Sequence, residues 1–276
     1  MNKGKVILAG AGPGDPDLLT IRAAQYLQQA DVVLTDRLVS DEILKQYVSH
    51  DAEIIFVGKQ CRRGHSTPQE WINHLMVMHA VEGKLVVRLK GGDVSLFANI
   101  LDELTVLQFN NIPFEIIPGV TAASGAAAYA SIPLTARGLS TAVRLLTYYK
   151  SDVVTDQYWK DLAQTDDTLV FYMSAETLTD VVHHLTSHGI DPGKLMAIVQ
   201  QATTPCQHVE VLSLYEYDTV IHKKLISPTL VIIGRVVALH QKFKWVENNE
   251  AKEYYFTPLS GKHLKKRETL NDSIVQ

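Results

Sequence analysis

Short apolar runs, rich in β-branched residues, alternate with stretches of helical periodicity through the first half of the sequence. The apolar runs cover residues 6–9, 32–35, 54–57, 85–89 and 114–117. The helical stretches lie near residues 18–29, 42–48, 68–81 and 96–109. Strands that alternate with helices are joined by crossovers, so they pair in parallel and helices cover the sheet. The pattern predicts an α/β domain with a five-stranded parallel sheet over residues 1–132.

A second group of apolar runs follows a break at Pro133 and Gly138. These runs cover residues 143–147, 169–172, 195–199, 209–212 and 230–233, with helical patterns near 158–163 and 178–188. Fewer helices among several short strands indicate a mixed sheet. We therefore predict a second α/β domain over residues 133–245. The sequence turns polar and charged after Trp245, so residues 246–276 are predicted to form a frayed polar tail.

The charge and cysteine content of the chain argue against several classes of protein. A net charge of −4 over 276 residues does not favour broad nucleic-acid binding, so an anionic ligand needs a local basic patch. Two cysteines are too few for a disulfide framework, which fits a reduced cytoplasm. The apolar stretches fall short of the roughly 20 residues that span a bilayer. We expect a cytoplasmic protein with a small-molecule partner and with neither nucleic acid nor membrane among its partners.

Five loops that follow the predicted parallel strands hold the chemically distinctive residues. These loops contain residues 10–15, 36–37, 58–65, 91–93 and 118–122. In an open parallel sheet, ligands bind beyond the carboxyl ends of the strands. The five loops are therefore predicted to converge on one ligand site.

The first of these loops, Gly-Ala-Gly-Pro-Gly at residues 10–14, is similar to a dinucleotide-binding turn but departs from it. The third glycine of that fingerprint falls on Asp15, whose charge would repel a pyrophosphate at the helix N-terminus. An adenosine ligand without a phosphate fits the loop better, and a nicotinamide cofactor with Asp36 on its ribose remains an alternative. Three helical histidines without an acid or cysteine partner do not predict a metal site; they are His183, His184 and His188.

Taken together, the loops resemble those of the tetrapyrrole methylase family, and in particular of the branch that methylates uroporphyrinogen III. Eight ordered blocks between about residues 5 and 240 carry the resemblance. They are GAGPGDPDLLT at 10–20, TDRLVS at 35–40, VGK at 57–59, RLKGGD at 88–93, PGVTAASGAAAYASIPLTAR at 118–137, FYMS at 171–174, QATTP at 201–205 and SPTLVIIG at 227–234.

The resemblance implies two α/β domains with S-adenosylmethionine held in a cleft between them, and a homodimer. It implies transfer of two methyl groups to uroporphyrinogen III, giving precorrin-2 for sirohaem or cobalamin, with S-adenosylhomocysteine as the other product and no metal. The electrophile is a sulfonium methyl, so the protein has to align the donor, exclude water and supply a base.

The resemblance also assigns roles to individual residues. Those expected to contact the methyl donor are Pro13, Gly91, Gly92, Asp93, Leu96, Thr121, Ala122, Met173 and Ala202. Those expected on the side of the polycarboxylate substrate are Arg37, Arg62, Asn99 and Arg137. Asp36 and Lys59 fall where the family has been proposed to use a proton acceptor and donor, and Asp102 is a further candidate for the proton transfer.

The loop after Asp93 departs from the family's usual pattern, G-G-D-P-x-x-F-G-R-G-x-E-E. The proline, the glycine, the arginine and the first glutamate are replaced here by Val94, Ala98, Asn99 and Asp102. Asparagine carries no permanent charge. We therefore expect Arg62 or Arg63 to anchor the substrate instead.

Two other functions stay open at this point. A methylase of a later corrin intermediate would keep the donor loops and alter the basic lining. A non-catalytic S-adenosylmethionine-binding protein would bind the donor without converting it. Because the chain begins at its first strand, we expect a single-function methylase without a fused dehydrogenase–chelatase module.

Overall fold

The computed structural model describes residues 4–58, 67–149, 154–217, 225–251 and 253–256. Contacts divide these residues into two compact units. The first unit contains the described residues within Met1–Gly10, Ile21–Pro118 and Tyr254–Gln276. The second unit contains the described residues within Ala11–Thr20 and Gly119–Glu253. The loop at residues 11–20 therefore belongs to the second unit, together with the second half of the chain. The domain bounds 1–132, 133–245 and 246–276 stay a prediction.

The first unit is built on a five-stranded sheet. Its strands are β1 (Lys5–Gly10), β2 (Val32–Thr35), β3 (Glu53–Phe56), β4 (Leu85–Lys90) and β5 (Phe114–Ile117), and its helices are α1 (Ile21–Gln29), α2 (Asp41–Tyr47), α3 (Gln69–Val81) and α4 (Leu101–Phe109). The strands pair in parallel in the order β3-β2-β4-β1-β5. The predicted parallel α/β sheet is confirmed.

Helix α4 begins five residues later than its apolar pattern predicts. Residues 94–100 form an irregular loop in which Phe97 and Asn99 have φ values of +53° and +49°. This left-handed conformation ends an α-helix in either direction, because it misaligns the backbone hydrogen bonds. Residues 94–100 are therefore a loop and not a helical turn.

The second unit contains a mixed sheet of five strands. Its strands are β6 (Val143–Thr147), β7 (Thr168–Tyr172), β8 (Leu195–Gln200), β9 (His208–Ser213) and β10 (Thr229–Gly234), and its α-helices are α5 (Ala122–Tyr129), α6 (Asp156–Gln164), α7 (Leu178–Ser187) and α8 (Leu239–Phe243). Short 3-10 helices lie at Pro16–Leu18, Leu214–Glu216 and Arg235–Ala238. The strand order is β6-β7-β10-β8-β9, and all pairs except β6 with β7 are antiparallel. The predicted mixed sheet is confirmed.

Alternating residues of this second sheet enter two separate cores. Phe171 and Ile198 pack with Trp159 of α6 on one face. Val170 and Ala197 pack on the other face with the small residues of α5. Successive strand residues point to opposite faces, so helices cover both sides of the sheet. Within the described residues, no helix is both long and apolar enough to cross a membrane.

Candidate functional site

The turn after β2 and the glycine loop after β4 pack against each other in the first unit. The two strands are neighbours in the sheet, so their carboxyl ends bring the two loops together. A methyl group added at Gly91 would lie 2.7 Å from Leu38 Cβ and 3.0 Å from Leu38 O. Asp36 closes its own turn, because its Oδ1 accepts a hydrogen bond from Leu38 N at 2.9 Å. Glycine at position 91 therefore allows the backbone of one loop to touch the other.

The carboxylate of Asp93 organises the chain that follows the two glycines. Its Oδ1 accepts hydrogen bonds from Ser95 N at 2.8 Å and from the Ser95 hydroxyl. Val94 is buried beside it, while Leu96 is half-buried. The loop is thus fixed by Asp93 on one side and by an apolar anchor on the other, and this arrangement holds the Gly91–Gly92 peptide in place.

Asn99 and Asp102, two residues on the predicted substrate side, bind each other. Asn99 Nδ2 donates a hydrogen bond to Asp102 Oδ2 at 2.9 Å, and both side chains are exposed. Asparagine tolerates the left-handed backbone at position 99 better than most residues do. The pair carries a net negative charge, so it offers a polyanion no electrostatic attraction of its own.

A buried cluster of charges supports this part of the first unit. Glu103 is fully buried and accepts hydrogen bonds from Arg88 Nε at 3.1 Å and from Lys90 Nζ at 2.7 Å. Arg88 Nη1 also donates to the carbonyl oxygens of Leu34 and Leu89. Burial lowers the pKa of Lys90 from its ordinary value, and the attraction of Glu103 opposes that change.

No role is predicted for this cluster from the sequence. Its signal is present in the sequence, since Arg88 and Lys90 interrupt an apolar strand that a parallel sheet buries on both faces. A charged residue in such a place requires a partner, and Glu103 in the next helix is that partner.

In the second unit, the first glycine loop packs against α5 and against residues 201–205. A methyl group added at Gly125 would lie 2.5 Å from Pro13 Cγ and 3.0 Å from Thr203 Cγ2. Asp15 N donates to Thr203 Oγ1 at 3.2 Å. Three of the blocks that carry the family resemblance therefore meet at one place in this unit.

Asp15, which stands where a dinucleotide loop has its third glycine, is used within the fold. Its Oδ2 accepts a hydrogen bond from the Tyr129 hydroxyl at 2.5 Å, and its Oδ1 accepts one from Asp17 N at 2.9 Å at the start of the 3-10 helix. Burial and the Asp15 carboxylate raise the pKa of Tyr129 to about 12. A carboxylate at this helix start disfavours a pyrophosphate ligand.

Tyr172, at the end of β7, is hydrogen-bonded to the start of α5. Its hydroxyl oxygen accepts a hydrogen bond from Ala123 N at 2.9 Å and lies 2.7 Å from Thr121 Oγ1. The next residue, Met173, has a φ of +52° and is 49% exposed. The phenol thus caps the helix where Thr121 and Ala122 present themselves to solvent or ligand.

The structure distributes the predicted residues over both units. Gly91, Gly92, Asp93 and Leu96 lie in the first unit with Asp36, Arg37, Asn99 and Asp102, and Pro13, Thr121, Ala122, Met173 and Ala202 lie in the second with Arg137. Arg137 is exposed in a turn that an Ala136–Ser140 bridge closes. Lys59, Cys61, Arg62 and Arg63 lie outside the described residues.

Two of the three histidines of α7 and its C-terminus make contacts within the fold. His184 stacks on Trp159 with ring centroids 4.6 Å apart, and His188 Nδ1 lies 2.7 Å from His184 O. In the part of the chain that the structure describes, no group of three or more histidines, cysteines or acids is placed to hold a metal ion.

A family model and a curated protein match most of this chain. The model of the tetrapyrrole (corrin/porphyrin) methylases matches residues 5–218. A siroheme synthase of Azotobacter vinelandii is 47% identical over 249 residues, which is 90% of this chain and 53% of that protein. The chain therefore spans about half the length of the curated relatives it matches.

Two solved structures have the same fold. A uroporphyrin-III C-methyltransferase of Thermus thermophilus is 32% identical, with a TM-score of 0.73 over 88% of this chain and 98% of that one. A structure of that enzyme complexed with S-adenosylhomocysteine is 33% identical, with a TM-score of 0.71 over 86% of this chain and 100% of the other.

Proposed function

Because the chain belongs to the tetrapyrrole (corrin/porphyrin) methylase family, we propose that it methylates uroporphyrinogen III twice with S-adenosylmethionine, giving precorrin-2. The family predicted from the strand-end loops is confirmed. The observation that carries the proposal is the match to a uroporphyrin-III C-methyltransferase over almost the whole of that enzyme. The siroheme synthase relatives favour sirohaem as the product's destination.

The residues that we propose for donor binding carry groups that suit S-adenosylmethionine. S-adenosylmethionine has ribose hydroxyls, an ammonium group and apolar surfaces, and it supplies an electrophilic methyl group when bound. Asp93 offers a carboxylate beside an accessible glycine backbone, and Thr121 offers a hydroxyl group. The exposed Met173 side chain offers an apolar surface. We assign donor binding to these residues together with Pro13, Gly91, Gly92, Leu96, Ala122 and Ala202.

The substrate carries carboxylates, so it needs cations in a chain whose net charge is −4. We propose Arg37, Arg62 and Arg137 for this role. We also propose Asn99 for the substrate side, as a neutral group whose side chain is hydrogen-bonded to Asp102. The main attraction then comes from arginine guanidinium groups, which bind carboxylates in a bidentate manner.

A proton has to leave the ring carbon that receives each methyl group. We propose Asp36 as the acceptor, because it is half-buried and its carboxylate is held by the Leu38 amide at 2.9 Å. Lys59 is proposed as the donor. Asp102 is exposed and bound to Asn99, so it is the second candidate for the acceptor.

Three further expectations belong to this proposal. The enzyme is a homodimer of the cytoplasm, and it is divided into domains at residues 1–132 and 133–245 with a polar segment after them. Each follows from the family resemblance or from the composition. Sedimentation velocity of the purified chain tests the dimer.

An anaerobic incubation with S-adenosylmethionine and uroporphyrinogen III, followed by mass analysis, tests the proposed function. We expect a product with two added methyl groups and a matching amount of S-adenosylhomocysteine. Donor binding without any methylated product would favour a non-catalytic binding protein. Methylation only of a purified later corrin intermediate would move the chain to another branch of the family.

A further inference from the structure

The polar segment that follows α8 packs on the edge of the second sheet. β9 is the edge strand, and Asn248 pairs with it through one side chain. Asn248 Oδ1 accepts a hydrogen bond from Val209 N at 2.8 Å, and Asn248 Nδ2 donates one to Val209 O at 2.9 Å. An edge strand normally leaves such backbone groups to solvent or to another chain. We call residues 246–251 and 253 the strap.

The strap also holds the loop that precedes β9. Asn249 N donates to Gln207 O at 2.9 Å, and Asn249 Nδ2 donates to Pro205 O at 2.8 Å. At the other end of this loop, Gln201 Nε2 donates to Glu253 O at 2.8 Å. The strap is therefore hydrogen-bonded to residues 201–209 at the beginning, in the middle and at the end of this loop.

The 201–209 loop contains two residues in a backbone conformation that most residue types disfavour. Gln201 and Thr203 have φ values of +49° and +64°, the left-handed region in which side chains other than glycine and asparagine are disfavoured. Both are almost fully buried. Such a conformation persists only where surrounding contacts over-determine it, and the strap supplies several of those contacts.

Ala202 lies between these two strained residues. Its neighbour Thr203 accepts a hydrogen bond from Asp15 N at 3.2 Å, which joins the loop to the first glycine turn with Pro13. A relaxation of Gln201 or Thr203 to negative φ would turn the Ala202 peptide and break this junction.

We propose that Asn248 and Asn249 are positioning residues for the methyl donor: they hold the 201–209 loop in the conformation in which Ala202 contacts S-adenosylmethionine. The inference rests on the proposed function for the identity of the ligand. The asparagines act through the loop and not on the donor itself. The apparent affinity for a ligand falls in proportion to the fraction of the protein in the competent conformation, so loosening the loop weakens donor binding.

The variants N248A, N249A and the double variant N248A/N249A test this role. E247A is the matched control, since the Glu247 side chain is 84% exposed, lies next to Asn248 and pairs with Lys244. N248A alone removes only the two hydrogen bonds to Val209, so it is the milder variant if the double variant does not fold.

Amide hydrogen exchange of the protein without ligand is the first measurement. We expect faster exchange within residues 201–209 in the asparagine variants, and wild-type exchange in E247A. Calorimetric titration with S-adenosylhomocysteine is the second measurement. We expect the Kd of the double variant to rise about tenfold, the KM for S-adenosylmethionine to rise with it, and kcat at saturating donor to stay unchanged.

The outcomes distinguish the positioning role of the strap from the proposed methylase function. Wild-type exchange or a wild-type Kd in the double variant would overturn the positioning role while leaving the methylase proposal intact. A fall in kcat at saturating donor with an unchanged KM would also overturn it, because it would indicate a general structural effect. A wild-type protein that binds neither donor nor product would overturn the proposed function and the donor role together.

Discussion

The ammonium group of Lys90 lies 2.7 Å from the carboxylate of Glu103, and Glu103 also binds Arg88 at 3.1 Å. One buried carboxylate thus forms ion pairs with two buried cations in the strand that leads into the Gly91–Asp93 loop. Removing a single member leaves charges without a partner in a medium of low polarity, which costs more than the pair itself contributes.

We expect E103Q to destabilise the protein strongly. Glutamine keeps the shape of the side chain but leaves Arg88 and Lys90 without a counter-charge, at a cost of about 3–5 kcal/mol in the free energy of unfolding. Urea denaturation measures this difference. Q108A, on the exposed face of α4, is the control and should stay within about 0.5 kcal/mol of wild type. Equal stability of the two variants would show that Glu103 does not stabilise the fold through Arg88 and Lys90.

G91A should weaken donor binding. The added methyl group would lie 2.7 Å from Leu38 Cβ and 3.0 Å from Leu38 O, so the glycine loop and the Asp36–Leu38 turn have to separate. Overpacking of this kind costs about 1–3 kcal/mol, and we expect the Kd for S-adenosylhomocysteine to rise about tenfold or more. G193A is the control, since its methyl group meets only the Asp191 side chain, at 3.2 Å. A normal Kd for G91A would show that the loops tolerate the separation.

D36N should slow methylation and leave donor binding unchanged. Asparagine retains an oxygen that can accept the Leu38 amide hydrogen bond, so the turn survives, but it cannot take up a proton. We expect single-turnover methylation to slow by about 10²–10⁴-fold, with a wild-type Kd for the donor. D102N measured in the same way compares the two carboxylates. A wild-type rate for D36N together with a slow D102N would transfer the role to Asp102.

The double variant R62A/R63A should lose affinity for the tetrapyrrole. With Asn99 bound to Asp102, the basic residues that follow Gly58 in the sequence are expected to supply the attraction for the substrate carboxylates. We expect the substrate KM to rise about tenfold, and its dependence on salt concentration to weaken. K242A, in α8, is the control for a change of surface charge. An unchanged KM would show that the anchoring cations lie elsewhere.

The Glu115 carboxylate should contribute to stability in a defined range of pH. Hydrogen bonds from Lys5 and Tyr26, with Arg22, lower the pKa of Glu115 from 4.5 to about 2. A lowered carboxyl pKa adds stability above the unfolded value, and this stability is lost as the pH falls from about 4.5 to 2. Urea midpoints across this range should fall less in E115Q than in wild type. Parallel curves for the two proteins would show that the cluster contributes nothing.

The alternation of apolar runs and helical stretches was sufficient to predict both sheets. Burial of a strand on two faces requires a continuous apolar run, and this requirement is local enough to read from residues 6–9 or 85–89. The strand-end loops were predicted for the same reason. Their family was recognisable because a close backbone approach, as at Gly91, permits few residue types.

The contacts made at long range were not predictable in this way. Tyr129 binds Asp15 across 114 residues, Tyr172 caps α5 across about 50, and Asn248 covers β9 across 39. Nothing in the local pattern around these polar residues distinguishes a binding partner from a solvated surface position. The beginning of α4 was not predictable from the apolar periodicity either, because Phe97 and Asn99 adopt left-handed backbone conformations where that periodicity favours a helix.

The sequence by itself determined the order of the strands along the chain, the positions of their loops and the family, since each follows from local rules of burial and backbone conformation. The tertiary structure decided which polar side chains stabilise those loops. In the first unit Glu103 binds the strand that leads into the Gly91–Asp93 loop, and in the second unit Asp15 and Tyr172 make the corresponding contacts. The asparagines of the strap hold residues 201–209. The physical reason is that a hydrogen bond or a buried ion pair depends on a distance of about 3 Å between atoms, and only the folded chain sets that distance.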